Sequence, residues 1–260
     1  MRNAEEIIRA LEQRWPKSQA CEWDNVGLLA GRRDRQVDTV FVALDVTEET
    51  LQGAVDAGAQ MMVTHHPLLF SPVKQINDGD FMGRRLLGLI EHQVTYYAMH
   101  TNFDVTGMGE LNRQALGIEE SLPLEAEDPQ NPHIGIGRVG DLREPVTLEE
   151  FARRVKEGMK VPSLRVYGDP GMMISRAAVC GGSGKSVIGQ ALEAGAQALV
   201  TGDVDYHTAI DTLARGMAVI DPGHYGSEYV FISYMAEQLR QMFPDLKVEE
   251  AAISHPYRVV

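Results

Sequence analysis

The sequence predicts an α/β protein of two related three-layer halves with mostly parallel sheets. Three observations carry that expectation: short apolar runs alternate with helical stretches, one stretch of the chain repeats, and several histidines follow directly on apolar runs. Alternation of strands and helices at this spacing favours sheets covered on both faces by helices.

Arg2, Glu5, Glu6 and Arg9 are spaced among Ile7, Ile8 and Leu11, so the chain opens on an amphipathic helix rather than on a secretion signal. A turn-rich stretch, Cys21-Glu22-Trp23-Asp24-Asn25-Val26-Gly27, leads to the β-branched run 39–44. A helix over 47–57 follows, with Thr47 as its N-cap and Gly58 as its stop. The next strand, 61–64, ends at His65-His66-Pro67. A helix over 81–92 leads to a strand at 94–99, which ends at His100-Thr101-Asn102-Phe103-Asp104.

The repeat aligns residues 57–64, AGAQMMVT, with residues 194–201, AGAQALVT, identical at six of eight positions. The same register lays 40–44 over 177–181 and Asp45 over Gly182. With a different gap, the strand before His100 matches 218–223, so His100-x-x-x-Asp104 lies over His224-x-x-x-Glu228. Both halves are therefore expected to end a strand in a histidine followed four residues later by a carboxylate.

Between the copies, residues 121–170 carry Pro123, Pro129, Pro132 and Pro145, with a strand expected at 133–139, a helix at 148–159 and a strand at 164–167. The change of domain is placed within 121–128, giving domains 1–124 and 125–260. A helix over 227–242 and a strand at 247–253 close the chain.

With 260 residues, 44% hydrophobic and 23% charged, the chain can bury a substantial core. A formal charge of -13 argues against a broad nucleic-acid footprint, which needs Lys and Arg set against phosphates. Two cysteines, Cys21 and Cys180, form no Cys-x-x-Cys pair, and no segment is apolar enough to span a membrane, so the expected location is cytoplasmic.

His65, His66, His100 and His224 all sit where strands end, which is where open parallel sheets bind ligands. Imidazole nitrogen and carboxylate oxygen together suit a pair of divalent ions, with positions left for water and substrate. The expected ligands are His65, His66, Asp104, His224 and Glu228, with Glu228 as the bridging carboxylate because it shares a helix face with His224. Taken singly, each has a plainer role: a His-His-Pro turn, an Asp cap, a Glu at a helix start. Their recurrence at equivalent ends of both halves favours the metal. Asp45 is either a carboxylate behind the ligands or an Asx turn, and His207 is either a pocket residue or a structural histidine. Gly181-Gly182-Ser183-Gly184-Lys185-Ser186 lacks the first glycine of a P-loop, whose place Val179 takes, and reads as a tight strand-to-helix turn, with anion binding by its amides as the alternative.

The sequence resembles the type-two GTP cyclohydrolase I family, also called the NIF-three-like family (NGG-interacting factor three), in its compact bacterial form. The resemblance is carried by Trp23-Asp24-Asn25-Val26-Gly27-Leu28, Ala43-Leu44-Asp45-Val46-Thr47, Thr64-His65-His66-Pro67, His100-Thr101-Asn102-x-Asp104, Gly181-Gly182-Ser183-Gly184, Thr201-Gly202-Asp203 and His224-x-x-x-Glu228. It implies a dinuclear centre in which His65 and His224 serve one ion and His66 and Asp104 the other, with Glu228 between. It also implies a toroidal homohexamer, and it links the chain to GTP ring opening.

The function expected is that of a metal-dependent hydrolase acting on a nucleotide-like substrate, with the ions acidifying a water and His100 or Asp45 moving the proton. The alternative is a non-catalytic metal-holding interaction protein or metallochaperone. Zinc, iron, manganese and nickel all suit such a ligand set.

Overall fold

The computed structural model describes residues 2–126 and 131–260. Pro129, and Asp128 at the end of the expected domain change, lie outside the described residues. The chain forms an α/β fold with two mixed sheets, of five and six strands, in two compact units.

The first unit comprises Met1–Phe103 and Phe231–Ile253. Its sheet runs in the order Lys247–Glu250, Thr39–Ala43, Met61–Thr64, Thr95–Ala98, Gly27–Ala30. Four of these strands are parallel and only Gly27–Ala30 is antiparallel. Every residue of the three central strands is buried, because helices cover both faces, and this explains why the sequence shows unbroken apolar runs there rather than alternation. On one face Phe41, Met62 and Tyr96 pack with Ala54, Leu86 and Leu89 of the helices Glu48–Asp56 and Phe81–Glu91. The expected cap is present: the Thr47 hydroxyl accepts from Thr50 N, and Thr50 Oγ1 accepts from Thr47 N.

The second unit comprises Asp104–Val230 and Ser254–Val260. Its sheet runs in the order Arg165–Tyr167, Ala218–Asp221, Ala198–Gly202, Met173–Ser183, Arg138–Thr147, Ile118–Leu122. Only the three strands from Ala218–Asp221 to Met173–Ser183 are mutually parallel; the outer three pair antiparallel. This sheet is thus not mostly parallel, contrary to the sequence expectation. The difference lies in Arg138–Thr147, a ten-residue strand with Asp141, Arg143 and Glu144 exposed and Pro145 at the register shift between Asp141 and Val146, where no ladder donor is needed.

The strands bracketing the sequence repeat pair alike in the two sheets. Val40 pairs with Met61 and Met61 with Thr95; Ala177 pairs with Ala198 and Ala198 with Ala218. Counted from the third strand, this register sets His100 against Gly223, one residue short of the sequence alignment with His224.

Candidate metal centre

In the first unit, Thr39–Ala43, Met61–Thr64 and Thr95–Ala98 end side by side, and the residues just past those ends build the site. His65, His66 and His100 each present one ring nitrogen, and these lie within 4.8 Å of one another. His65 is fully buried, its ring 5.3 Å from that of Phe231 and 6.2 Å from that of Phe103. Its Nδ1 stands 2.8 Å from the Met99 carbonyl oxygen. A carbonyl can only accept, so Nδ1 carries the proton and the lone pair of neutral His65 is at Nε2. His66 Nδ1 is 2.8 Å from Asp45 Oδ1, and His100 Nδ1 is 2.9 Å from Asp24 Oδ1. Asp45 thus stands behind His66, while its own carbonyl accepts from Thr50 Oγ1.

The Thr64-His65-His66-Pro67 turn is pinned from beneath. Thr64 Oγ1 and the Tyr96 hydroxyl both donate to the His66 carbonyl, and Leu68 N donates to Tyr96. Asp24 is the brace of the neighbouring loop. Its second oxygen accepts from Thr101 N at 3.0 Å and from Thr101 Oγ1 at 2.5 Å. Burial pushes its carboxyl up, but the hydrogen bonds from His100 and Thr101 and the charge of His100 outweigh that and hold it down to about 2.

In the second unit, Glu228 is buried and its Oε2 lies 3.0 Å from His224 Nε2 across one turn of the helix His224–Glu228, as the four-residue spacing predicts. A carboxylate oxygen of Asp104 comes within 4.8 Å of one of Glu228. His224 Nδ1 is 2.7 Å from Asp203 Oδ2. Asp203 reaches it from a left-handed backbone conformation, φ 57°. Buried Asp221 accepts from Val204 N and Gly223 N, which fixes the two loops that meet at this pair.

The glycine-rich segment is a floor for these side chains rather than an anion cradle. Gly182 N donates to Ser227 Oγ and Gly184 N to Thr201 Oγ1, so both amides are already engaged. A Cβ on Gly182, whose φ is +62°, would run into Glu228 Oε1 and stand 3.3 Å from His224 Nε2. At Gly202 a Cβ would stand 2.5 Å from His224 N. His207 is exposed, its ring against Tyr206, and takes no part in either group.

All four imidazoles therefore share one arrangement, with Nδ1 facing a carbonyl or carboxylate oxygen, and at His224 the Nε2 faces Glu228 Oε2. Orientation of ligating histidines by such oxygens is the common design of metal sites, and these His, Asp and Glu groups suit metal ions. Asp24, Asp203 and the two glycines are the supporting residues that sequence reasoning did not single out. They lie inside the quoted motifs, but their role depends on contacts across loops distant in sequence.

The Duf34/NIF3 (NGG1p interacting factor 3) family matches residues 2–256. This chain belongs to that family. Among NIF3-family relatives, a GTP cyclohydrolase 1 type 2 homolog of Streptococcus pneumoniae serotype 4 is 38% identical over 248 residues, covering 93% of this chain and 92% of that protein. A GTP cyclohydrolase 1 type 2 homolog of Clostridium perfringens is 32% identical, covering 91% and 90%. The crystal structure of a Bacillus cereus protein related to NIF3 superposes with a TM-score of 0.93 at 26% identity, over 100% of this chain and 99% of that one. Among the described residues, no helix is long and apolar enough to cross a membrane.

Proposed function

We propose that this NIF3-family protein holds two divalent ions through His65, His66, Asp104, His224 and Glu228 and acts as a metal-dependent hydrolase on a nucleotide-like substrate. The observation that carries the proposal is the common setting of the four histidines, with oxygen acceptors at 2.7–2.9 Å on Nδ1 in every case. Support also comes from buried Glu228, since a carboxylate removed from water is costly unless a cation is close. The ions would supply Lewis acidity and lower the pKa of a water. Asp45 and Asp203 orient His66 and His224. Asp24, kept ionised, orients His100, the role a carboxylate plays behind a proton-moving imidazole. His100 is accordingly the proposed proton carrier.

The nucleotide-like substrate is proposed from the naming of the relatives as GTP cyclohydrolase 1 type 2 homologs. The identical pairing of the strands that bracket the repeat supports descent of the two halves from one duplicated unit. A toroidal homohexamer and a reducing, cytoplasmic setting belong to the same proposal. Element analysis of the purified protein with anomalous scattering at the metal edge tests the ligand set, with two ions per chain on the five residues expected. Absence of bound ions after reconstitution with zinc, iron, manganese and nickel refutes it. Turnover against a panel of nucleotides and phosphoesters tests the hydrolase.

A further inference from the structure

Beside the imidazoles of the first unit lie two aromatic side chains that the site chemistry has not used. Trp23 is 61% exposed and Phe70 53% exposed, and their ring centroids are 5.8 Å apart at an interplanar angle of 52°. Both turn toward His100: its ring is 6.1 Å from Trp23 and 6.4 Å from Phe70, edge-on in each case. His100 in turn stands 5.3 Å from His65 and 5.5 Å from His66. An exposed indole and phenyl side by side leave apolar area in water, and such patches in a folded protein mark binding surfaces.

The pair is held in place rather than loosely displayed. Asp24, directly after Trp23, is anchored by His100 and Thr101. Asn25 Nδ2 donates to the carbonyl of Leu69, the residue before Phe70, at 2.5 Å. One short hydrogen bond therefore ties the loop that carries the indole to the loop that carries the phenyl. A rigid aromatic wedge at the rim of a polar, metal-suited group is the arrangement that binds a planar heterocycle: a flat ring stacks on aromatic faces, while the polar atoms act on it.

We propose that Trp23 and Phe70 form the base-stacking subsite of this protein and receive the purine ring of its substrate, with His100 at the ring's edge. This deepens the proposed function and rests on the substrate being nucleotide-like, but it does not depend on the ions. Of the two tryptophans, Trp15 is buried and Trp23 exposed, so intrinsic fluorescence reports on the subsite directly.

The experiment titrates the full-length protein with guanosine and with GMP, before and after treatment with a chelator, using ribose 5-phosphate as the ring-free control. Saturable quenching by both purines is expected, persisting for guanosine in chelator-treated protein, with none from ribose 5-phosphate. By calorimetry, Trp23→Leu should weaken Kd for guanosine about 5- to 150-fold, with Trp23→Phe weakening it less. Absence of saturable guanosine binding in the wild type overturns the proposal, as does unchanged affinity in Trp23→Leu. Unchanged affinity with a shift in sedimentation would assign the patch to a second copy of the chain. Purine binding by a protein that takes up no metal would leave the stacking subsite standing and remove the dinuclear reading, so the two failures are distinguishable.

Discussion

Asp24 illustrates how one carboxylate can organise residues far apart in sequence. It grips His100 and Thr101 and orients the loop after Cys21. Its carboxyl is held near 2, below the ordinary 3.8, so it stabilises the fold fully above about pH 4 and loses that contribution as pH falls toward 2. The contribution is worth about 2 kcal/mol. In chelator-treated protein, urea denaturation should therefore show a gap between wild type and Asp24→Asn that is widest above pH 4 and closes on acidification; a gap independent of pH would contradict this. Cys180 offers a second test at the same scale. Burial, with the negative charges of Asp104 and Glu228 nearby, raises its thiol pKa. Cys21 is only partly buried. A chromogenic disulfide reagent should titrate one thiol per native chain at neutral pH and two after unfolding, with the native signal abolished by Cys21→Ser.

At the scale of elements, the sequence was most legible where physics is local. The strands at Met61–Thr64 and Thr39–Ala43 announce themselves as apolar, β-branched runs, and the helices Phe81–Glu91 and Leu148–Gly158 start at the residues expected. The clustering of His65, His66 and His100 was legible for the same reason, since they follow where such runs stop. Strands Gly27–Ala30 and Ile118–Leu122 were not recognised, because they are edge strands without a continuous buried run, and their pairing is decided by distant partners. The glycines were read as turn formers, whereas two of them are contact surfaces. A pair of substitutions with opposite signs tests this. Gly202→Ala drives a methyl against His224 N and should cost about 1–3 kcal/mol and reduce bound metal. Gly189→Ala, in the helix Ile188–Glu193 with open space around its Cβ, should instead stabilise by about 0.5–1 kcal/mol. Thermal denaturation with metal analysis of both proteins decides between contact surface and turn former.

At the scale of the whole molecule, the first unit is discontinuous: the chain leaves it at Phe103 and returns at Phe231. Lys247–Glu250 then completes the sheet in parallel beside Thr39–Ala43, with Val248 opposite Val40 and Glu249 opposite Phe41. The three imidazoles of that unit thus follow strands whose outer neighbour arrives only at the end of the chain. Val248 is buried, and a carboxylate in its place would have to be solvated or paired at the sheet edge, where the structure offers apolar neighbours. Val248→Asp should accordingly unzip the edge strand and expose to hydrogen exchange the amides of Val40 and Val42, the residues that face it. The amides of the parallel core of the second unit, residues 177–179, 198–200 and 218–220, should keep their protection, since their ladder partners all lie within that unit. Equal loss of protection in both sets would mean that the two units unfold as one cooperative body, and the compact division would then have no counterpart in stability.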